Sequence, residues 1–174
     1  MPNEDYIKAG KIAAEVRERV RVKDWIGKTV YEICEEVENE IKKRGAKCAF
    51  PVNASINEIA AHYTAEPNDP ITIKDTDLVK IDLGAQINGY IADTAVTVCY
   101  DVQFDGLVQA AEEALGSAMS MIKTGVKASD IGRTIESTIK QMGFKPIANL
   151  SGHSLDQYTI HAGRSIPNIW SIGG

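Results

Sequence analysis

VKIDLGAQINGYIADTAVTV (Val79–Val98) holds two β-patterned runs, Leu78–Leu83 and Tyr90–Val98, on either side of Asn88-Gly89. Asn and Gly both tolerate the positive φ of a type I′ turn, so this spacing predicts a two-residue β-hairpin. The turn sets Ile87 across from Tyr90, Gly84 across from Asp93 and Asp82 across from Ala95. Side chains alternate along a strand, so Asp82 and Asp93 emerge on one face as diagonal neighbours. The other face collects Ile81, Leu83, Ala92, Val96 and Val98, a core set. Two carboxylates this close repel, and burying them unpaired would cost roughly several kcal/mol each. A divalent cation such as Mn, Co, Zn or Mg relieves both problems. Solvation at the surface, or a salt bridge with Lys80 as the cation of the pattern, relieves them too. The pattern alone leaves both readings open.

Composition narrows the function classes. The 174 residues suffice for one domain with a proper core, and 44% hydrophobic with 25% charged residues is ordinary for a globular protein. A net charge of −5 and a pI near 5.2 argue against a nucleic-acid or anionic-membrane surface. No apolar run approaches about 18 residues, so no spanning helix is expected. The start, MPNEDYIKAG, lacks the basic-then-apolar layout of a signal peptide. Cys34, Cys48 and Cys99 are odd in number and form no CxxC, which suits a reducing cytoplasm. Cys34 falls in an apolar helical stripe and reads as core.

The rest of the chain reads as helices and short strands. Asn3 caps a first helix with Glu4 and Asp5 at its start and Arg17, Arg19 and Arg21 near its end, matching the helix dipole. Ile7, Gly10, Ala13, Ala14 and Val20 form its expected packing face. Thr29-Val30-Tyr31-Glu32 is a capping box opening a second helix, with Val30, Ile33, Cys34, Val37 and Ile41 buried and Gly45 beyond its end. Cys48–Ser55 reads as a strand bent or edged by Pro51. A third helix carries Phe104, Leu107, Val108, Ala111, Leu115, Ala118, Met119 and Ile122 as one apolar stripe. A turn over 124–128 follows. Ser129 then caps a fourth helix that buries Ile131, Ile135, Ile139 and Met142 and ends at Gly143.

The two halves echo each other. A shift of 98 residues carries Ile33, Val37, Ile41 and Gly45 onto Ile131, Ile135, Ile139 and Gly143. Each half reads as two helices, a Gly and an aliphatic strand near a Pro, which suggests a pseudo-twofold domain. The same shift puts a second hairpin near residues 176–196, beyond Gly174.

Three histidines remain: His62 in INEIAAHYTAEPNDP, and His153 and His161 in NLSGHSLDQYTIHAG. An eight-residue interval is not the i, i+4 spacing of a helical zinc pair. They are plain loop histidines, or they add an imidazole to the aspartate pair as a mixed O/N site. FPVNASINEIAAHYT, KIDLGAQINGYIADTAVTV and SGHSLDQYTIHAG, in this order, resemble the type II methionine aminopeptidases from the first helix to Gly174. The missing Lys-rich N-terminal extension is similar to archaeal members.

That resemblance implies an α+β pita-bread (creatinase/aminopeptidase) fold, pseudo-twofold, with an antiparallel sheet covered by helices on one face and its second half incomplete. Residues 1–174 would then be one truncated metallopeptidase catalytic domain, with 1–103 the first pseudo-repeat and 104–174 the start of the second. It implies two divalent metals, Co, Mn, Fe or Zn, with Asp82, Asp93 and His153 as three of five ligands and Asp93 bridging. His62 would line the methionine pocket and His161 would contact the scissile peptide, the two serving catalysis and substrate binding. The implied reaction is hydrolytic release of the initiator Met from nascent chains with a small second residue, in the cytoplasm and near the ribosome. Two Glu ligands of the family have no counterpart here, because no acid follows His161, and the type II helical insertion is absent as well. The chain as written is therefore expected to bind at most one metal weakly, to lack appreciable activity, and to self-associate through an open sheet or to be the ordered part of a longer product. Alternatives on the same fold are a non-catalytic binding protein and an Xaa-Pro aminopeptidase or prolidase relative.

Overall fold

Asn88 and Gly89 adopt φ of 50° and 85°, the left-handed pair a type I′ turn requires, and they join the two longest strands. β3 (Leu78–Ile87) and β4 (Tyr90–Cys99) pair antiparallel without a break from Ile87↔Tyr90 to Leu78↔Cys99. The computed structural model describes residues 3–170. Two shorter strands, β1 (Lys47–Cys48) and β2 (Asn53–Ile56), pair with the opposite edge of β3. They share that edge in succession, and the chain leaves it around Pro51, the bend expected from proline in a strand.

Helices cover the apolar face of this sheet. α1 (Glu4–Val22) is capped by Asn3 Oδ1, which accepts from Asp5 N at 2.8 Å. α2 (Val30–Lys43) begins with the full capping box between Thr29 and Glu32. α2 buries Val30, Ile33, Cys34, Val37 and Ile41, the stripe its periodicity dictates. α1 departs from expectation. Its buried row is Ala9, Ile12, Ala13, Val16 and Val20, while Ile7 stays 46% exposed. The i, i+3, i+4 row through Ile12 and Val16 buries more apolar surface than one through Gly10 and Ala14, and it sets the rotation of the helix on β3 and β4.

Contacts divide the chain into two units, Met1–Val102 with Asp156–Ile160, and Gln103–Leu155 with His161–Gly174. The first holds the hydrophobic core, from Val16 and Trp25 through Ile41 and Val52 to Ile81, Leu83 and Val96. In the second, α3 (Asp105–Met121) packs on α4 (Ala128–Gln141), and β5 (Ser151–His153) pairs with β6 (Ser165–Pro167). Both α2 and α4 end in the same hydrogen-bonded cap. Gly45 N bonds Lys42 O and Ala46 N bonds Ile41 O, just as Gly143 N bonds Lys140 O and Phe144 N bonds Ile139 O.

Four expectations for this second unit need correction. α3 buries Ala110, Ala114 and Ala118, whereas Leu107, Leu115, Met119 and Ile122 are 41–62% exposed. Small side chains let helices approach closely, so the alanine row wins the buried face over the larger apolar row. Ser129 lies inside the first turn of α4. Lys127 is the cap residue instead, extended at ψ 139°, with its carbonyl accepting from Asp130 and Ile131. In α4 only Ile131 of the expected apolar set is fully buried, and the aliphatic stretch near Pro146 that follows Gly143 is not a strand.

Candidate functional site

Alternation along β3 and β4 fixes where the two aspartates go. Asp82 lies between Asn53 of β2 and Ala95 of β4, and Asp93 lies across from Gly84. Residues opposite each other share a face, as do residues two apart, so Asp82 and Asp93 stand on the side of the sheet away from Ile81 and Leu83. Asp82 is half-buried and Asp93 exposed. Lys80, the cation of the pattern, turns its ammonium to the carbonyl of Asn57 at 2.6 Å, and burial pushes its pKa below the usual lysine range. Carboxylates on rigid strands are hard oxygen donors, a chemistry that fits a divalent cation.

Close approach shapes the same face. The bend at Ala49–Phe50 presses on Gly84 from the neighbouring edge, and Ala49 N donates to Gly84 O at 2.9 Å. A side chain at 84 would collide with Phe50, so glycine admits an aromatic ring one ladder rung from Asp93. Nothing in the hairpin pattern alone gives Gly84 a purpose. Its place opposite Asp93, near a Pro-bent partner strand, was the available signal.

His62 sits in the loop between β2 and β3, exposed and at φ 66°, in the left-handed region. The next residues lie along β2. Tyr63 O accepts from Ala54 N at 2.9 Å, Tyr63 N donates to Ser55 Oγ at 3.2 Å, and Thr64 Oγ1 donates to Asn53 Oδ1 at 2.7 Å. Asn53 is the direct ladder partner of Asp82. The Tyr63 phenol donates to Asp69 Oδ2 at 2.6 Å, and this bond to a carboxylate raises the Tyr63 pKa above its ordinary value. Neither Tyr63 nor Asp69 stands out in the sequence pattern. Asp69 before Pro70 is a turn-forming pair, and its Oδ1 does accept from Ile71 N at 2.9 Å.

His153 and His161 meet within the second unit, with ring centroids 4.3 Å apart and planes at 70°, edge to face. Their eight-residue separation closes because His153 ends β5, where it pairs with Ser165, and Ala162 N returns to Ser154 O at 2.8 Å. His153 is thus a strand residue rather than a loop histidine, and its Nδ1 is buried. Between the two histidines, Gln157 and Tyr158 belong to the first unit and grip the hairpin turn. Tyr158 N donates to Gly89 O at 2.8 Å and Gln157 Nε2 to Asn88 O at 2.9 Å. The first unit brings Asp82 and Asp93 together, and the second brings His153 and His161 together. Among the described residues no group of three or more His, Cys, Asp or Glu side chains is gathered closely enough to hold a metal ion. Among them, too, no helix is long and apolar enough to cross a membrane.

The sequence matches metallopeptidase family M24 over residues 4–173. It is 51% identical over 170 residues to the methionine aminopeptidase of Pyrococcus abyssi, covering 98% of this chain and 58% of that relative. The chain thus spans just over half the length of that curated relative. Among solved structures, it resembles the methionine aminopeptidase of Thermotoga maritima, with a TM-score of 0.87 at 29% identity, covering all of this chain and 74% of the other. The prolidase of Pyrococcus furiosus is also similar, with a TM-score of 0.82 at 27% identity, covering 95% of this chain and 50% of the other. These neighbours share the pita-bread fold, of which this mixed helix and antiparallel-sheet chain covers part. With the family matched along nearly its entire length, the chain belongs to the M24 metallopeptidases.

Proposed function

We propose that this chain is part of a cytoplasmic methionyl aminopeptidase, which removes the initiator methionine from nascent chains. The observation that carries the reading is the placement of Asp82 and Asp93 on one face of a continuous hairpin, away from the core. The 51% identical relative bears the name methionine aminopeptidase, which supports the reaction class. By resemblance to the family, Asp82, Asp93 and His153 are the residues that would hold the divalent cations. When bound, such cations supply an activated water and polarise the scissile carbonyl. The chain's own residues do the rest. The carboxylates would fix the cations, His62 would contact the methionine end of the substrate, and His161 would contact the scissile peptide. Nascent N-termini are the partners, met close to the ribosome.

Three of the family's five ligands are too few for a tight dinuclear pair. The 174-residue polypeptide alone is therefore expected to bind one cation weakly and to turn over little substrate. A test joins this chain to the part of the Pyrococcus abyssi relative that it does not cover, and follows Met release from Met-Ala-Ser with added Co or Mn. Turnover that requires Asp93 supports the proposal. Cleavage of Ala-Pro peptides in its place would favour the prolidase reading, for which the Pyrococcus furiosus neighbour speaks. Metal binding without turnover of either would favour the non-catalytic one.

A further inference from the structure

We propose that Asp69, acting through the phenol of Tyr63, is a positioning residue that holds His62 in its left-handed conformation beside β2. Its value to catalysis rests on the reading of His62 as a substrate-contacting residue. The geometric part stands by itself. A non-glycine residue at φ 66° persists only where its neighbours over-determine it.

Here the neighbours form a chain of bonds from the helical framework to the histidine. Gly27 N bonds Ile73 O, Ile73 N bonds Lys28 O, and Val30 N bonds Ile71 O, each at 2.9 Å, so Ile71–Ile73 is fixed to the start of α2. Ile71 N in turn donates to Asp69 Oδ1, and Asp69 is 7% exposed. Its other oxygen takes the Tyr63 hydroxyl, so both carboxylate oxygens are engaged and neither needs water. A hydrogen bond to a buried carboxylate is stronger than one between neutral groups. Tyr63 then locks onto β2 through Ala54 and Ser55, with Thr64 on Asn53. His62 directly precedes this locked residue. The same bond keeps the proton on Tyr63, so the latch stays closed throughout the neutral range.

A purely structural Asp69 would lower stability and leave the His62 ring alone. The two are separable by NMR on the 174-residue chain with labelled histidine. Its three histidines are assigned by single His→Gln variants. Tyr63→Phe and Asp69→Ala are expected to average the His62 ring signals toward those of an unstructured peptide. They should also speed exchange of the Ala54 amide about tenfold, with His153 and His161 unmoved. Asp69→Asn keeps one oxygen to accept from Ile71 N, but its amide can only donate to the phenol oxygen, reversing and weakening that bond, so it should recover the native His62 signals only in part. Native His62 signals and native Ala54 exchange in Tyr63→Phe would overturn the proposal, and that variant decides alone if Asp69→Ala unfolds. None of these readouts uses peptide turnover, so this proposal and the methionine-peptide reading can fail separately.

Discussion

Phe50 lies on Gly84, the residue directly across the ladder from Asp93. A Cβ at position 84 would come within 2.8 Å of Phe50 Cδ1 and 2.9 Å of Ala49 Cβ. Real Cβ atoms do not sit that close, so Gly84→Ala must push the bend outward. The expected cost is about 1–3 kcal/mol, the usual range for overpacking. Urea unfolding of Gly84→Ala, Phe50→Ala and the double variant checks this. Contact between the two sites predicts that the double variant is more stable than the sum of the single losses implies.

Asp93→Asn and His62→Ala should separate by what they lose. Removing a charged ligand is expected to cut metal affinity and turnover on the order of 10²-fold or more. His62→Ala should spare metal binding and slow Met-Ala peptide turnover. Calorimetric titration with Mn or Co, in the joined protein described above, distinguishes the two. Equal loss of metal in both variants would contradict the roles assigned here.

Asp82 and Asp93 were legible in the sequence because a hairpin with a two-residue turn has one register, and register decides faces. α2 was legible for a similar reason, since its capping box and five-residue stripe agree. α1 and α3 were not. Each carries two candidate apolar rows, and choosing between Ile7 and Ile12, or between Leu115 and Ala114, depends on the partner surface rather than on period. The hold of Asp69 on Tyr63 was invisible because it joins loop residues through side chains, with no periodicity to announce it. The meeting of His153 and His161 was hidden in the same way, since it needs a strand pairing that the loop-like text does not signal.

Glu40 offers a pH test of the first unit. Arg44 at 2.7 Å and Lys43 at 3.1 Å, with Arg19 at 3.5 Å, hold its carboxyl down to about 2 from an ordinary 4.5. A depressed carboxylate stabilises the fold above its unfolded pKa, and that contribution is lost as pH falls through the folded value. Glu40→Gln should therefore flatten the acid limb of stability between about pH 4.5 and 2 while leaving the slope at neutral pH unchanged. Unfolding midpoints across that range, at low and high salt, read it out; salt should shrink the wild-type effect.

Leu115, Met119 and Ile122 expose 60–62% of their surface along one side of α3. Exposed apolar rows of this kind mark surfaces that associate with a partner. Leu115→Glu with Met119→Lys is expected to lower the scattering mass of the 174-residue chain at a given concentration. Its thermal midpoint should move by no more than a few degrees, because neither side chain is buried.

β3 takes β4 through a two-residue turn but takes β1 and β2 from distant sequence, and this difference sets an order of assembly. The hairpin closes a short loop and can form in roughly 1–10 μs, whereas the other edge must first close much longer loops. The two aspartates are thus expected to align before β2 arrives, and the segment bearing His62 to order only once β2 has docked. Substitutions at Asn88 or Gly89 should slow folding, while those at Tyr63 or Asp69 should mainly speed unfolding.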